Sequence, residues 1–79
     1  MWYYMTKYSF DPSKPIIGPF DTEDEAWKDM REVATHEYET DLDNGWNTKI
    51  IEDKECGEIT IKNLFSAGTD VTEFFLFEI

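Results

Sequence analysis

The spacing of apolar and polar residues changes several times along this chain, and each change marks an element. From Trp2 to Phe10, WYYMTKYSF is rich in residues that favour strands. DPSKP, Asp11 to Pro15, closes it with two prolines and a serine, which read as loop. IIGPF then leads the chain, as a turn, to a helix start. There Thr22 is placed to cap, with Glu25 three residues on, the reciprocal capping-box arrangement, and Phe20 stands just outside to pack on the first turn.

From Ala26 the period becomes helical. Ala26, Trp27, Met30, Val33, Ala34 and Tyr38 fall on one side of a helix wound at about 100° per residue. DLDNG supplies the stop, with Asn44 or Gly45 able to take the left-handed conformation. Two strand-like stretches follow, WNTKIIED and EITIKNLF, joined by KECG as a tight hairpin in which Gly57 relieves the turn. SAGTD makes the next turn. VTEFFLFEI is the last strand, with Phe75, Phe77 and Ile79 on one side and Phe74 and Leu76 on the other.

Strand, helix and a three-strand meander define an α+β domain spanning residues 1–79. The expected architecture is a four-stranded, mostly antiparallel sheet with one amphipathic helix packed on one face. A single helix covers one sheet face only, yet the first and last strands are apolar on both sides. Aromatic surface is therefore expected to remain open, and the oligomeric expectation is a monomer or a weak homodimer.

At 79 residues the chain has room for one core, which buries about 60% of the surface its unfolded form exposes. The apolar content of 41% and aromatic content of 16% are enough to fill that core. Charge changes the picture more. Eighteen acids against seven bases give a net charge of −11, beyond the magnitude of roughly 2–8 that keeps a small domain soluble. An anionic surface repels nucleic acid and anionic lipid, so neither direct nucleic-acid binding nor a membrane anchor is expected. A cationic partner is: a basic protein surface, such as that of a nucleic-acid-binding protein.

The placement of the acids is specific. Wound as a helix, Asp21, Glu25, Asp29, Glu32, Glu39 and Asp43 fall within about a quarter turn opposite the apolar side, with His36 in the gap. Glu23, Asp24 and Glu25 in the first turn are stabilised by the helix dipole. Glu37, Glu39, Asp41 and Asp43, at the negative end, would each cost about 0.3–1 kcal/mol on the last turn. Such acids are either a tolerated, solvated face or a surface that a partner uses. Glu52, Asp53, Glu55 and Glu58 around the hairpin add a second acidic patch, and together the two could imitate a phosphate track. Six acids over about 33 Å of helix give one charge per ~5.5 Å, against one per ~3.4 Å along a DNA strand.

Glu37 falls on the apolar side of the helix, where an unpartnered carboxylate is costly. Either the helix frays there or Glu37 pairs with Lys7, Lys49 or Lys62.

Chemistry has few footholds. The chain has one histidine, one cysteine and no serine in a nucleophile elbow, so no catalytic residue is assigned and the protein is expected not to be an enzyme. His36 among carboxylates reads as a charge-compensating surface histidine. Cys56 sits in the hairpin turn beside Lys54 and Glu55; Lys54 favours the thiolate slightly, but Glu55 and Glu58 work the other way, so no activated thiol is expected. No cysteine pair exists to form a disulfide or hold zinc, and no signal-like or membrane-spanning segment is read, so a cytoplasmic location is expected. TDLDNG places oxygens near Gly45, but an EF-hand loop with glycine at its sixth position would need ligands at Thr40, Leu42 and Asn44, so neither metal nor cofactor is expected. IIGPF and FSAGTD lack the repeated glycines and the lysine of phosphate loops. Aromatic strands with only Lys7 and Lys62 nearby are core rather than base-stacking platforms.

Small size, strong acidity and a compact α+β fold are together similar to the DNA-mimic inhibitors that mobile elements carry against restriction or CRISPR enzymes, a likeness of charge and size. The functional expectation is a non-enzymatic acidic binding protein, a nucleic-acid mimic that occupies a basic groove. The alternative is a structural or assembly module that self-associates or docks through its aromatic strands.

Overall fold

In the computed structural model, which describes residues 1–8 and 15–79, the chain runs β1 (Trp2–Tyr8), β2 (Ile17–Phe20), α1 (Glu23–Asp43), β3 (Asn47–Asp53), β4 (Glu58–Phe65) and β5 (Gly68–Glu78). The strands form one wholly antiparallel sheet of order β2-β1-β5-β4-β3, and α1 packs against all five. The architecture is thus α+β in two layers, as expected, but with five strands instead of four. The expected loop Asp11 to Pro15, apart from Pro15, and the expected end of the first strand at Phe10 lie outside the described residues.

The additional strand is in IIGPF, which the sequence pattern assigned to a turn. Pro19 argues against a central strand because it has no N–H for a ladder, but β2 is an edge strand and pairs with β1 alone. Gly18 has φ +146°, and a Cβ there would lie 2.6 Å from Tyr3 Cδ1 and 2.9 Å from the Trp2 carbonyl oxygen. The glycine is what lets the Tyr3 ring lie over the edge strand. The second difference is at SAGTD: β5 begins at Gly68, which pairs with Phe65, so the turn shrinks to Ser66 and Ala67.

The helix begins where its cap predicts. The Glu25 N–H donates to Thr22 Oγ1 at 3.2 Å. At the other end Asn44 stays right-handed, and Gly45, with φ +78°, takes the left-handed position. Its N–H donates to the Leu42 carbonyl, and the Trp46 N–H to that of Asp41, the two bonds of a Schellman closure. Between these ends Ala26, Trp27, Met30 and Ala34 are buried against Tyr4, Ile59, Ile61 and Phe74. Val33, expected on the buried side, lies at its margin and is 46% exposed.

Tyrosines on β1 settle how the helix lies. The Tyr4 hydroxyl donates to Asp29 Oδ2 at 2.7 Å and the Tyr8 hydroxyl to Glu37 Oε1 at 2.6 Å. Four strand residues span about 13 Å and eight helical residues about 12 Å, so both bonds form only if α1 runs parallel to β1. On the opposite flank Arg31 Nε donates to Glu52 Oε1 at 2.7 Å, and Lys54 lies 3.7 Å from Asp24. The helix is braced on both sides.

Beneath its C-terminal half the sheet turns polar. Thr48, Asn63 and Asp70 are direct cross-strand neighbours on β3, β4 and β5. Asn63, 4% exposed, donates from Nδ2 to Asp41 Oδ2 at 3.0 Å, and Asp41 is itself 8% exposed. A buried carboxylate needs such a donor.

Two consequences are measurable. Burial first, then the hydrogen bond with the carboxylate and its charge, raise the Tyr4 and Tyr8 phenols well above their ordinary value of 10.0. A raised folded-state value means the unfolded chain releases these protons first, so the associated stability is complete below pH 10 and is lost as pH climbs beyond it. Thermal melts from pH 8.5 to 11 are expected to show a falling alkaline limb that is shallower in the Tyr4→Phe/Tyr8→Phe protein. Separately, Gly45→Ala, with no neighbour within 4 Å of the new Cβ, should cost about 1 kcal/mol of left-handed strain. Gly18→Ala adds a backbone clash and should cost about 1–3 kcal/mol or more, a difference readable as a larger drop in Tm.

Candidate functional site

The fold divides the acids expected to form the binding surface among several settings. Glu25, Glu32, Glu39 and Asp43 are exposed and stand on the outer arc of α1, on the side away from the buried residues, whereas Asp21, expected on the same stripe, is exposed but off the helix, because it precedes the N-cap Thr22, whose backbone is extended. His36 is exposed on the same arc. Among the described residues none of these five carboxylates enters an ion pair.

Asp29 leaves the set. It is half-buried and holds the Tyr4 hydroxyl, so it belongs to the seam between helix and sheet. Glu37 and Asp41, read in the sequence as acids at the negative end of the dipole, are also turned inward, onto Tyr8 and Asn63. The expected fraying at Glu37 does not occur; Tyr8 donates to its carboxylate, and the expected partners Lys7, Lys49 and Lys62 are not placed to reach it. The register explains why: Lys7, Lys49 and Lys62 alternate with the core residues of their strands and occupy the opposite sheet face. Two of the four C-terminal acids are thus structural, while Glu39 and Asp43 remain outside with no base in the last turn of the helix.

The hairpin patch does not extend the helical stripe. Glu52 is paired with Arg31 on the flank of α1. Asp53 and Glu58 are cross-strand partners on the sheet face away from the helix. The Asp53 Oδ1 accepts from the Cys56 N–H at 3.2 Å and so shapes the turn that carries the exposed Glu55. A hydrogen bond with Asp53, then that carboxylate's charge, push the Cys56 thiol up, away from the thiolate form a nucleophile needs.

His36 and Cys56 sit on different elements. An open groove of about 440 Å³ runs along the helix beside Trp27, Arg31, His36 and Glu39. A second lies between α1 and β3 beside Tyr38, Leu42 and Ile50. Among the described residues no three His, Cys, Asp or Glu side chains come together to hold a metal ion. No helix among them is long and apolar enough to cross a membrane. Comparison with family models, with curated proteins and with solved structures finds no match.

The arrangement concentrates charge without neutralising it. From Asp21 to Asp43 ten acids stand against Lys28 and Arg31, and the outer arc of α1 carries four of those acids. Asp29 is a donor's partner while Glu39 and Asp43 oppose the dipole, so the two kinds of carboxylate should respond oppositely to neutralisation. Asp29→Asn should destabilise by about 1–3 kcal/mol by weakening a charge-assisted bond. Glu39→Gln and Asp43→Asn should each leave stability unchanged or raise it by about 0.3–1 kcal/mol. Denaturant midpoints at constant m-value decide between these directions.

Proposed function

We propose that the protein acts by binding, without catalysis, and that the outer arc of α1 is the contact surface, presented to a basic groove of a partner that otherwise receives nucleic acid. The observation that carries this reading is that Glu25, Glu32, Glu39 and Asp43 stand on one exposed arc of α1, with Asp21 exposed just before it, and enter no ion pair among the described residues, while Asp29, Glu37 and Asp41 are turned inward. Glu39 and Asp43 weaken the helix they stand on, and a cationic partner would turn that cost into binding energy.

Four carboxylates over the roughly 27 Å of helix from Glu25 to Asp43 amount to one per ~7 Å, sparser than a nucleic-acid strand with one phosphate per ~3.4 Å. The arc therefore resembles a partly occupied phosphate row, and contacts at such a row depend on charge rather than on fit. Arg31 and Lys54 are engaged by Glu52 and Asp24 on the β3 flank, and Lys28 borders Glu25 and Glu32, so the arc keeps a negative balance that is strongest at Glu39 and Asp43. Long-range attraction of this kind raises association rates and falls with salt.

The test is competition. Against nucleic-acid-binding proteins with basic grooves, the protein should displace bound duplex or single-stranded DNA, with an affinity that drops as salt rises from 50 to 200 mM. The variant Glu32→Lys/Glu39→Lys/Asp43→Lys, altered only at exposed positions, should lose this displacement while keeping its circular dichroism, with a Tm unchanged or raised. Displacement undiminished in that variant would end the proposal.

A further inference from the structure

The face of the sheet that α1 leaves uncovered differs from the rest of the molecule in charge. Alternation from the buried Tyr4, Ile59, Ile61 and Phe74 places three lysines there, Lys7, Lys49 and Lys62, against three acids, Asp53, Glu58 and Glu73. A chain of net charge −11 thus has one broad face that is neutral. That face also carries apolar surface. Tyr3 and Phe77 stack at 5.7 Å beside the half-buried Met5 and Phe75, and Ile51 and Leu64 are 52% and 37% exposed.

The order of the charges along the strands is as informative as their balance. The register sets three successive cross-strand rows on this face. One holds Lys49, Lys62 and Val71, the next Ile51, Thr60, Glu73 and Lys7, and the third Asp53, Glu58, Phe75 and Met5. The lysine row and the acidic row lie at equal distances, about 7 Å, on either side of the middle one. A two-fold axis laid along the middle row, in the plane between two facing sheets, exchanges the outer rows. Lys62 then meets Glu58 of a second copy, Lys49 meets Asp53, and Val71 meets Phe75. On the axis itself Glu73 meets Glu73 of the second copy and Lys7 meets Lys7, and each like pair is offset by the opposite charge of its own cross-strand neighbour.

We propose that this sheet face is a homodimer interface, with a second copy of the chain seated on it about that axis, both acidic helices turned outward. Two sheets packed face to face at about 10 Å with strands aligned within about 30° form an ordinary sandwich. A standard interface takes roughly 800 Å² from each partner, a modest part of the 5230 Å² surface of one copy. Identical copies repel everywhere else on this acidic surface, so the neutral, self-complementary face is where a second copy fits.

Analytical ultracentrifugation at roughly 100 µM, enough to populate a micromolar dimer, should show the dimer. Lys62→Glu sets an acid against Glu58 of the partner twice by symmetry and should weaken association on the order of tenfold or more. Adding Glu58→Lys restores the complementarity with the signs exchanged, and Lys62→Glu/Glu58→Lys should dimerise as the original chain does. A monomeric original chain, a dimer unaffected by Lys62→Glu, or a double variant that is folded but remains dissociated would each overturn the proposal. Glu32→Lys/Glu39→Lys/Asp43→Lys alters the opposite side of the molecule and should leave the dimer intact, so failure of helix-mediated binding and failure of dimerisation are separately visible.

Discussion

How far α1 is rotated about its own axis decides which carboxylates the molecule shows, and two tyrosines set that angle. The apolar residues alone tolerate some rolling, because Ala26 and Ala34 are small and the buried arc is broad. Hydrogen bonds from Tyr4 to Asp29 and from Tyr8 to Glu37 do not. They are short, end on carboxylates, and lie within partly buried surroundings where charge-assisted bonds are strongest and an abandoned carboxylate is most costly. Rolling the helix by one residue position, about 100°, would exchange Asp29 and Glu37 for neighbours with different side chains and bring part of the outer arc under the sheet. Arg31 with Glu52 holds the other flank. The acidic arc is what remains once three carboxylates have been committed to the interior.

This division could not be made from helical spacing alone. A helical wheel separates apolar from acidic residues, but it does not say what stands on the sheet beneath them. Asp29 has the spacing of a surface acid, and a strand tyrosine converts it into a structural one. Asp41 is hidden because the sheet below it is polar, a property of Thr48, Asn63 and Asp70 that becomes visible only when three strands are set in register. By contrast, features with local causes were legible: the Thr22 cap, the stop at Gly45, the hairpin around Gly57 and the meander. They depend on residues within a few positions of one another.

The missed edge strand has the same explanation in reverse. Gly18 and Pro19 weigh against a strand in any local reading, and the physics behind that rule concerns neighbours on both sides. At an edge there is one neighbour, and the glycine is required by a ring that comes from β1. The later start predicted for β5 likewise followed from Gly68 and Thr69, turn-forming in isolation but paired here with Phe65 and Leu64. The patch around the hairpin separated for a related reason. Glu52 and Asp53 are adjacent in sequence, yet alternation sends one towards Arg31 and the other to the opposite face.

Charge is therefore sorted across the thickness of the domain, with nine acids against two bases on the helix and a balanced face on the far side of the sheet. The layers are separated by about 10 Å, the usual spacing of packed layers, which is comparable to the screening length of about 8 Å at physiological ionic strength. A cation approaching the uncovered sheet face is thus largely insulated from the outer arc of the helix, and a basic partner at the arc is equally insulated from Lys7, Lys49 and Lys62. Had those lysines been distributed along α1 they would have neutralised it. Placed on the far face, they preserve the negative arc and at the same time relieve the apolar sheet surface of the repulsion that would otherwise keep every other molecule of this kind away.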